Sequence, residues 1–384
     1  MWTKNRIFIF VLFIFASGLL HAEDFGPLKI NSIRQHGYGG QHVAYSDDFD
    51  AITTNPALYK DIKGQIAILE FSISLIGDSL GMAELGTALT NSSENINLDL
   101  IAEFAGKSEG KIPLGFDLQG PLASGYVGKG FGIGLLNRTY ANMRLMGISL
   151  NASANEDVWF NFGMAFDLFN YEDHDIDWGF NAKLAGRFNL LMKGTLLDMA
   201  EHMDTMFNTT PVTLGFGGGA DLGFRYKWGD NFTAGLVLDD AISPYRINRY
   251  ELEEFSEKAL AGSYTSAFNF WTVTPRLNLG AAYAIQPVRF IKLGFMADYN
   301  DVINLFTNTY NTRNPILNMG IGAEAVFYNF ISLRLGLYDM LPHLGLGLDC
   351  KIFKLEAAYY GRELSTEPGG LSTYAFDLGI LFRY

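Results

Sequence analysis

The sequence predicts an all-β protein, a transmembrane antiparallel up-and-down β-barrel of about fourteen strands, and three observations support this prediction. Apolar and polar residues alternate along most of the chain, which is the period of a β-strand. After the N-terminal run described below, no stretch approaches the roughly 18 apolar residues that a membrane-spanning helix needs. Yet 48% of the residues are hydrophobic and 14% are aromatic, which suits a barrel whose alternate residues face lipid.

The last twelve residues show the alternation most clearly. One face carries Tyr374, Phe376, Leu378, Ile380, Phe382 and Tyr384, and the other carries Ala375, Asp377, Gly379 and Arg383. This aromatic final strand resembles the C-terminal signal that the barrel-assembly machinery reads. We therefore expect that machinery as a partner, outer-membrane lipid as the surroundings and the bacterial outer membrane as the location.

Counting back from Tyr384, the alternation places strands near residues 65–77, 111–127, 131–150, 157–169, 175–190, 211–227, 232–239, 271–285, 288–299, 316–327, 331–338, 343–349, 351–361 and 373–384. The stretch 131–150 reads as one long strand or as two short ones. Short turns at 128–130, 171–174, 229–230, 286–287 and 328–329 fall on one side, which is the periplasmic side in barrels of this kind. The N-terminal segment then also begins in the periplasm.

The chain divides into three parts. Lys4 and Arg6 precede an apolar run at residues 7–20, followed by the small residue Ala22, so residues 1–22 are expected to be a signal peptide. Residues 23–63 form an N-terminal periplasmic or hatch segment. Residues 64–384 form the barrel.

Composition excludes several classes of function. Without Lys4 and Arg6, 26 basic residues stand against 41 acidic ones, a net charge near −15 that argues against a nucleic-acid partner. Cys350 is the single cysteine, so neither an internal disulfide nor a cysteine-built metal site can form. No Gly-x-Ser-x-Gly element and no His-Glu-x-x-His spacing is present, and we expect neither an enzyme nor a cofactor.

Residues 31–61 do not alternate, and their motifs give the sequence its family resemblance. The motifs are His36-Gly37-Tyr38-Gly39-Gly40, Val43-Ala44, Asp47-Asp48 and Thr54-Asn55-Pro56-Ala57-Leu58. In this order they resemble the N-terminal hatch of FadL-type outer-membrane transporters. The same order occurs in related PorV-like and TraF-like barrels. Where the family's usual pattern has Ala or Gly before the glycine pair, this chain has Gln35 and His36.

The resemblance implies passive uptake of hydrophobic compounds, such as long-chain fatty acids, through a barrel plugged by a hatch inside its lumen. The hatch or gating residues that it implies are Gly37, Gly39, Gly40, Asp47, Asp48, Asn55 and Pro56. Two alternatives remain open. One is a PorV-like or TraF-like barrel that serves as a structural or docking partner for exported proteins, and the other is a general porin for small polar solutes.

Short helices with apolar faces are expected in the extracellular loops. The methionine-rich stretch that contains Leu196, Met199, Met203 and Phe207 is a candidate surface for capturing a hydrophobic small-molecule substrate, because methionine adapts to varied apolar shapes. Tyr250, Phe255 and Leu260 indicate a further helix. The alternative is that these faces pack on one another as a cap over the barrel.

The lumen-facing positions carry charges of both signs. They are Lys183, Arg187, Arg225, Arg276, Lys292, Arg334, Lys354 and Arg383 with Glu70, Asp167, Asp221, Glu324, Asp349, Glu356 and Asp377. Because buried charges are tolerated when they are paired, we expect most of them to form a structural network. One of the basic residues could instead bind a carboxylate head group.

Overall fold

The computed structural model describes residues 26–77, 111–146, 149–195, 208–261, 269–307 and 313–384. Within them, antiparallel strands form one sheet that closes on itself, because the last strand pairs with the first. At the closure the amides of Ile66 and Tyr384 donate to each other's carbonyl oxygens, at 2.7 and 2.8 Å. The predicted barrel is confirmed, while the expected signal peptide lies outside the described residues.

The described residues contain sixteen strand segments. The first eight are β1 (Gln65–Ile76), β2 (Lys111–Gly128), β3 (Phe131–Met146), β4 (Ser149–Tyr171), β5 (His174–Thr195), β6 (Pro211–Trp228), β7 (Phe232–Ile242) and β8 (Pro244–Glu251). The others are β9 (Asn269–Thr272), β10 (Arg276–Val288), β11 (Ile291–Tyr299), β12 (Met319–Phe327), β13 (Ile331–Tyr338), β14 (Leu341–Asp349), β15 (Lys354–Glu363) and β16 (Ser372–Arg383).

Two strands of the barrel are each interrupted once. β7 and β8 both pair with β6 and are separated by Ser243, while β9 and β10 pair with β8 and β7 and are separated by residues 273–275. Pro244 directly follows the first interruption and Pro275 lies in the second, and proline has no N–H to donate to a ladder. The Ser243 hydroxyl donates to the carbonyl of Val273 at 3.0 Å and so joins the two interruptions. Counted as whole strands, the described residues form a closed barrel of fourteen, as predicted.

Some strand boundaries were predicted wrongly. The strand expected at 131–150 ends at Met146, and the one expected at 232–239 continues through β7 and β8, so Tyr250 lies on a strand. The strand expected at 271–285 is divided into β9 and β10 and ends at Val288, which moves the turn from 286–287 to 289–290. The physical reason is that strand ends emerge from the lipid, where both faces accept polar residues and the alternation fades.

The two faces of the barrel differ as the alternation predicts. On β16, Phe376 and Leu378 are exposed on the outside, while Asp377 and Arg383 are buried on the inside. The same holds for β5, where Leu184 is exposed between the buried Lys183 and Ala185. An apolar exterior around a polar interior is the arrangement that spans an outer membrane.

The two ends of the barrel also differ. The turns after β2, β4, β6, β10 and β12 are short and lie at the end that holds Gln65 and Tyr384, which we call the short-turn end. Residues 77–110 and 300–318 connect strands at the opposite end, which we call the long-loop end. In outer-membrane barrels short turns face the periplasm and long loops face outward.

The helices in the described part of the chain are short. They are α1 (Ile33–Gly37), α2 (Ala51–Thr54), α3 (Leu252–Leu260) and α4 (Val302–Thr307), with 3₁₀ helices at Pro56–Lys60 and Pro315–Asn318. None of the helices among these described residues is both long enough and apolar enough to cross a membrane.

Candidate functional site

Residues 26–64, which we call the interior segment, lie inside the barrel. Helix α1 packs against β13 to β16, and the 3₁₀ helix Pro56–Lys60 packs against β2 to β6 on the other side of the lumen. Tyr38, Phe49 and Tyr59 of the segment are each no more than 2% exposed. The segment therefore crosses the lumen and touches its wall on opposite sides.

Glycines of the wall allow the backbone of the interior segment to come this close. A Cβ on Gly37 would lie 2.8 Å from the Cα of Gly345, and a Cβ on Gly345 would lie 2.7 Å from the Cα of Gly37. A Cβ on Gly322 or Gly336 would overlap the carbonyl of Tyr38. The backbone of the interior segment therefore packs directly on the glycines of the wall, and little empty space is left between the two.

The glycine pair of the predicted motif ends helix α1. Gly39 and Gly40 have φ angles of +91° and +106°, in the left-handed region that glycine adopts without strain. The Gly40 amide donates to the carbonyl of Gln35 at 2.8 Å, which closes the turn. After this turn the chain leads into the aspartates at positions 47 and 48.

Asp47 and Asp48 have different surroundings although they are neighbours. Asp48 is buried and lies 2.7 Å from Arg383 Nη1 and 3.1 Å from Arg34 Nη1. Burial by itself would raise the pKa of Asp48, but the attraction of Arg383 and Arg34 outweighs it and holds the pKa well below its usual value. Asp47 also pairs with Arg34, at 2.6 Å, but its side chain is 75% exposed.

Arg383, on the last strand, gathers three carboxylates. Its guanidinium lies 2.7 Å from Asp48 and 2.8 Å from Asp50 of the interior segment, and it also donates to Glu70 on β1. Its side chain is 3% exposed. This arginine therefore joins the interior segment to the strand pair that closes the barrel.

A second chain of ion pairs begins at Arg34. Its guanidinium donates to both carboxylate oxygens of Glu324 on β12, at 3.0 and 2.5 Å. Glu324 also accepts from Arg334 on β13 at 2.7 Å, and Arg334 donates to Glu356 on β15 at 3.1 Å. Four buried charges in a row thus run from the segment into the wall.

Asn55 and Pro56 form the start of the 3₁₀ helix. The Asn55 side-chain oxygen accepts from the Ala57 amide at 3.0 Å, which is a cap, and its nitrogen donates to the Val43 carbonyl at 2.7 Å. Pro56 occupies the first helical turn, where its missing N–H costs nothing. Asn55 therefore holds two parts of the interior segment together and is itself fully buried.

Two histidines of the interior segment also contact carboxylates of the wall. His36 Nδ1 lies 2.6 Å from Asp377, and His42 Nδ1 hydrogen-bonds Asp298. Asp298 also accepts from the Val43 amide at 2.8 Å. Both histidines are hydrogen-bonding residues of the segment, and His42 is completely buried.

The expected charge network is present on the strands as well. Lys183 pairs with Asp221 and Asp240, Arg187 with Asp157, and Arg225 with Asp177. At the short-turn end Lys60 pairs with Asp167, and Asp61 pairs with Arg225. Arg276 and Lys292 are different, because neither makes an ion pair with any described residue.

Toward the long-loop end, a cavity of about 550 Å³ lies next to the interior segment, and we call it the chamber. Residues of the segment, among them Lys29 and His36, form part of its lining, and strand ends and loops of the wall form the rest. Six cationic side chains line it, namely Lys29, Arg138, Arg144, Arg276, Arg313 and Arg362. Three carboxylates line it, Asp117, Asp339 and Glu363, so with neutral histidines the lining carries a charge of +3.

Sequence reasoning found Arg276 but missed the other five cations. Arg138 and Arg144 lie an even number of residues apart on β3, so their shared inward face was visible in the alternation. Arg313 and Lys29 lie outside the strands, where alternation does not apply. Arg362 lies on β15 an even number of residues from Lys354 and Glu356, but the predicted strand ended at residue 361. Only the closure of the barrel brings them to one cavity.

The predicted capture residues Leu196, Met199, Met203 and Phe207 lie outside the described residues. Of the further loop helix, α3 is described, and its Phe255 packs edge to face on Phe188 and Tyr250, with ring centroids 5.6 and 5.4 Å apart. Phe255 therefore packs on residues of β5 and β8, and the alternative that the loop helices pack on one another as a cap stays a prediction. Among the described residues no cluster of His, Cys, Asp or Glu is arranged to hold a metal ion.

No family model matches the chain, and no curated protein matches it in sequence. Among solved structures, the toluene transporter TodX of Pseudomonas putida is 12% identical over 94% of this chain and 98% of its own, with a TM-score of 0.46. The toluene transporter TbuX of Ralstonia pickettii is 10% identical over 94% and 98%, with a TM-score of 0.48. A FadL homologue of Pseudomonas aeruginosa is 12% identical over 93% and 98%, with a TM-score of 0.43. In fold, the chain is similar to the FadL-type outer-membrane channels.

Proposed function

We propose that this protein takes up hydrophobic compounds across the outer membrane and that long-chain fatty acids are its cargo. The observation that carries the proposal is the interior segment, which crosses the lumen and contacts opposite walls. A solute can pass through such a barrel only if the segment moves. The segment would thus act as a hatch, in keeping with its motif resemblance to FadL-type transporters.

The proposed gating residues divide into three groups by what they do. Gly37, Gly39 and Gly40 shape the backbone that lies against the wall, and Asn55 with Pro56 holds the segment's own fold. Asp48, with Asp47 beside it, connects the segment to the wall through arginines. Ion pairs can be exchanged for other ion pairs or for a ligand's charge, so they suit a hatch that must open and close.

The capture of cargo would begin outside the barrel. Leu196, Met199, Met203 and Phe207 are the proposed capture surface, in the connection between β5 and β6. That connection belongs to the long-loop end, which faces outward in barrels of this kind. A hydrophobic compound that enters the barrel at the long-loop end would pass the chamber on its way to the rest of the interior segment.

The test combines fatty-acid binding with conductance of the intact chain. We expect saturable binding of a labelled long-chain fatty acid to purified protein, and small steady currents in planar bilayers. Glu324→Gln removes the carboxylate shared by Arg34 and Arg334 and should increase the current and the rate of fatty-acid passage into vesicles. Asp230→Asn, on an exposed turn at the short-turn end, is the matched control.

The outcomes separate the alternatives. Large steady currents from the unaltered protein would indicate a general porin. The absence of saturable fatty-acid binding, both in the unaltered protein and in Glu324→Gln, would reject the transporter and leave the docking barrel. An unchanged current in a folded Glu324→Gln variant would reject the segment as a hatch. The expectation that the protein is not an enzyme stays a prediction.

A further inference from the structure

The chamber differs in charge from the rest of the protein. The whole chain has a formal net charge of −13, yet the chamber's lining has a charge of +3. A cavity lined by one sign of charge concentrates ligands of the opposite sign. The cations can bind a ligand only if the chamber's own carboxylates do not already pair with all of them.

Each carboxylate of the chamber is occupied. Asp117 accepts two hydrogen bonds from Arg138 Nε, at 3.0 and 2.8 Å. Asp339 accepts from Arg313 at 2.7 Å. Glu363 accepts from the amides of Ser365, Gly369 and Leu371, so it holds the connection to β16.

Four cations of the chamber remain without such a partner. Within the described ranges, Lys29, Arg144, Arg276 and Arg362 make no ion pair. A polar atom of the lining is also left over, because the buried Nε2 of His343 has no hydrogen-bond partner there. Lys29, Arg276 and Arg362 are partly buried, so they have lost part of their hydration, and a bound anion would compensate for that loss.

We propose that the chamber binds a small organic anion that carries two or more acidic groups. Guanidinium groups recognise carboxylates through two parallel hydrogen bonds, and one carboxylate could satisfy only one or two of the four cations that make no ion pair with a described residue. The volume of about 550 Å³ is in the range of small-molecule sites. This ligand class goes beyond the uptake of hydrophobic compounds and holds whether or not the barrel transports them.

The test is a charge series on one aromatic ring, measured by titration calorimetry on the intact protein in detergent at neutral pH. Benzoate, isophthalate and trimesate carry one, two and three carboxylates. We expect the affinity to rise by about tenfold with each added carboxylate, the effect of one good charge-assisted hydrogen-bond pair. Added salt should weaken trimesate most, because screening acts on every charge.

Variants locate the site. Arg276→Gln and Arg362→Gln should each weaken trimesate binding by about tenfold, through the loss of one charge-assisted contact. Arg289→Gln makes the same change on an exposed turn at the short-turn end and should leave the affinity unaltered. Each variant is folded if, without heating, it migrates on a denaturing gel at the same position as the unaltered protein.

Several results would overturn the proposal. They are equal affinity for the three ring compounds, no binding of any of them, an effect of Arg289→Gln as large as that of Arg276→Gln, or decanoate binding more tightly than trimesate. The last result would point to an apolar-chain site and would leave the proposed function intact. Conversely, failure of fatty-acid binding or passage would leave the charge series unaffected, so the two proposals fail separately.

Discussion

The interior segment and the chamber lie in the same lumen, but the charged side chains of the first are paired and several of those in the second make no ion pair with described residues. Around the interior segment, Asp48, Glu324 and Arg383 each have at least two oppositely charged partners and almost no exposure. In the chamber, Arg276 and Arg362 make no ion pair with any described residue. Paired charges fasten elements of a protein together, whereas unpaired charges are available to a ligand. The lumen therefore has one level that the interior segment closes, and a second level, the chamber, whose cations are available to a ligand.

The largest expected effect tests the fastening at Arg383. Arg383→Gln leaves Asp48, Asp50 and Glu70 close together without their shared cation. Breaking a buried ion pair on one side costs about 3–5 kcal/mol, and we expect a loss of that size in the free energy of unfolding. Urea unfolding in detergent measures it, with Arg289→Gln as the control. A loss no greater than that of the control would show that the interior charges contribute little.

The next effect tests close packing at the same level. Gly336→Ala puts a methyl group where the carbonyl of Tyr38 lies, and overpacking costs about 1–3 kcal/mol. We expect lower stability together with a larger bilayer current, because the interior segment must shift. In Gly186→Ala the new methyl group would lie 3.4 Å from the flexible Phe216 ring, so that variant should behave as the unaltered protein. Equal currents in the two variants would contradict the predicted shift.

A smaller effect compares two Asn-Pro caps. Asn55 and Asn314 both cap 3₁₀ helices, but Asn55 is buried in the interior segment and also binds the Val43 carbonyl. Asn55→Ala should cost about 1–2 kcal/mol, since caps are worth about that much and the Val43 carbonyl loses its donor. Asn314→Ala, in the exposed connection before β12, should cost distinctly less. Thermal unfolding measures the loss of stability in both variants. A larger loss in Asn314→Ala than in Asn55→Ala would contradict the structural role given to Asn55.

The smallest effect is expected at Asp47. Its side chain is 75% exposed, and exposed ion pairs contribute roughly 0–1 kcal/mol. Asp47→Asn should therefore leave urea unfolding almost unchanged, while Asp48→Asn next to it should be strongly destabilising. If Asp47→Asn were as harmful as Asp48→Asn, burial would not be what distinguishes the two aspartates.

The two levels were not equally predictable. The strand register follows from a local rule, so the inward direction of Glu324, Arg334 and Arg383 was evident before the structure was known. The expectation of a paired network on those strands is confirmed. The turn at Gly39 and Gly40 and the cap at Asn55 depend on neighbouring residues, and both lie within motifs that the sequence analysis singled out. Their roles in gating stay a prediction.

The sequence by itself determined that this is a fourteen-stranded membrane barrel with a non-alternating segment at its N-terminus, because alternation and turn spacing are local properties of a chain. Only the tertiary structure decided where the strands of β7 to β10 are interrupted, which wall each carboxylate meets, and that Lys29, Arg144, Arg276 and Arg362 share one cavity. The reason is distance along the chain. Residues 29 and 362 come together only when the last strand closes on the first.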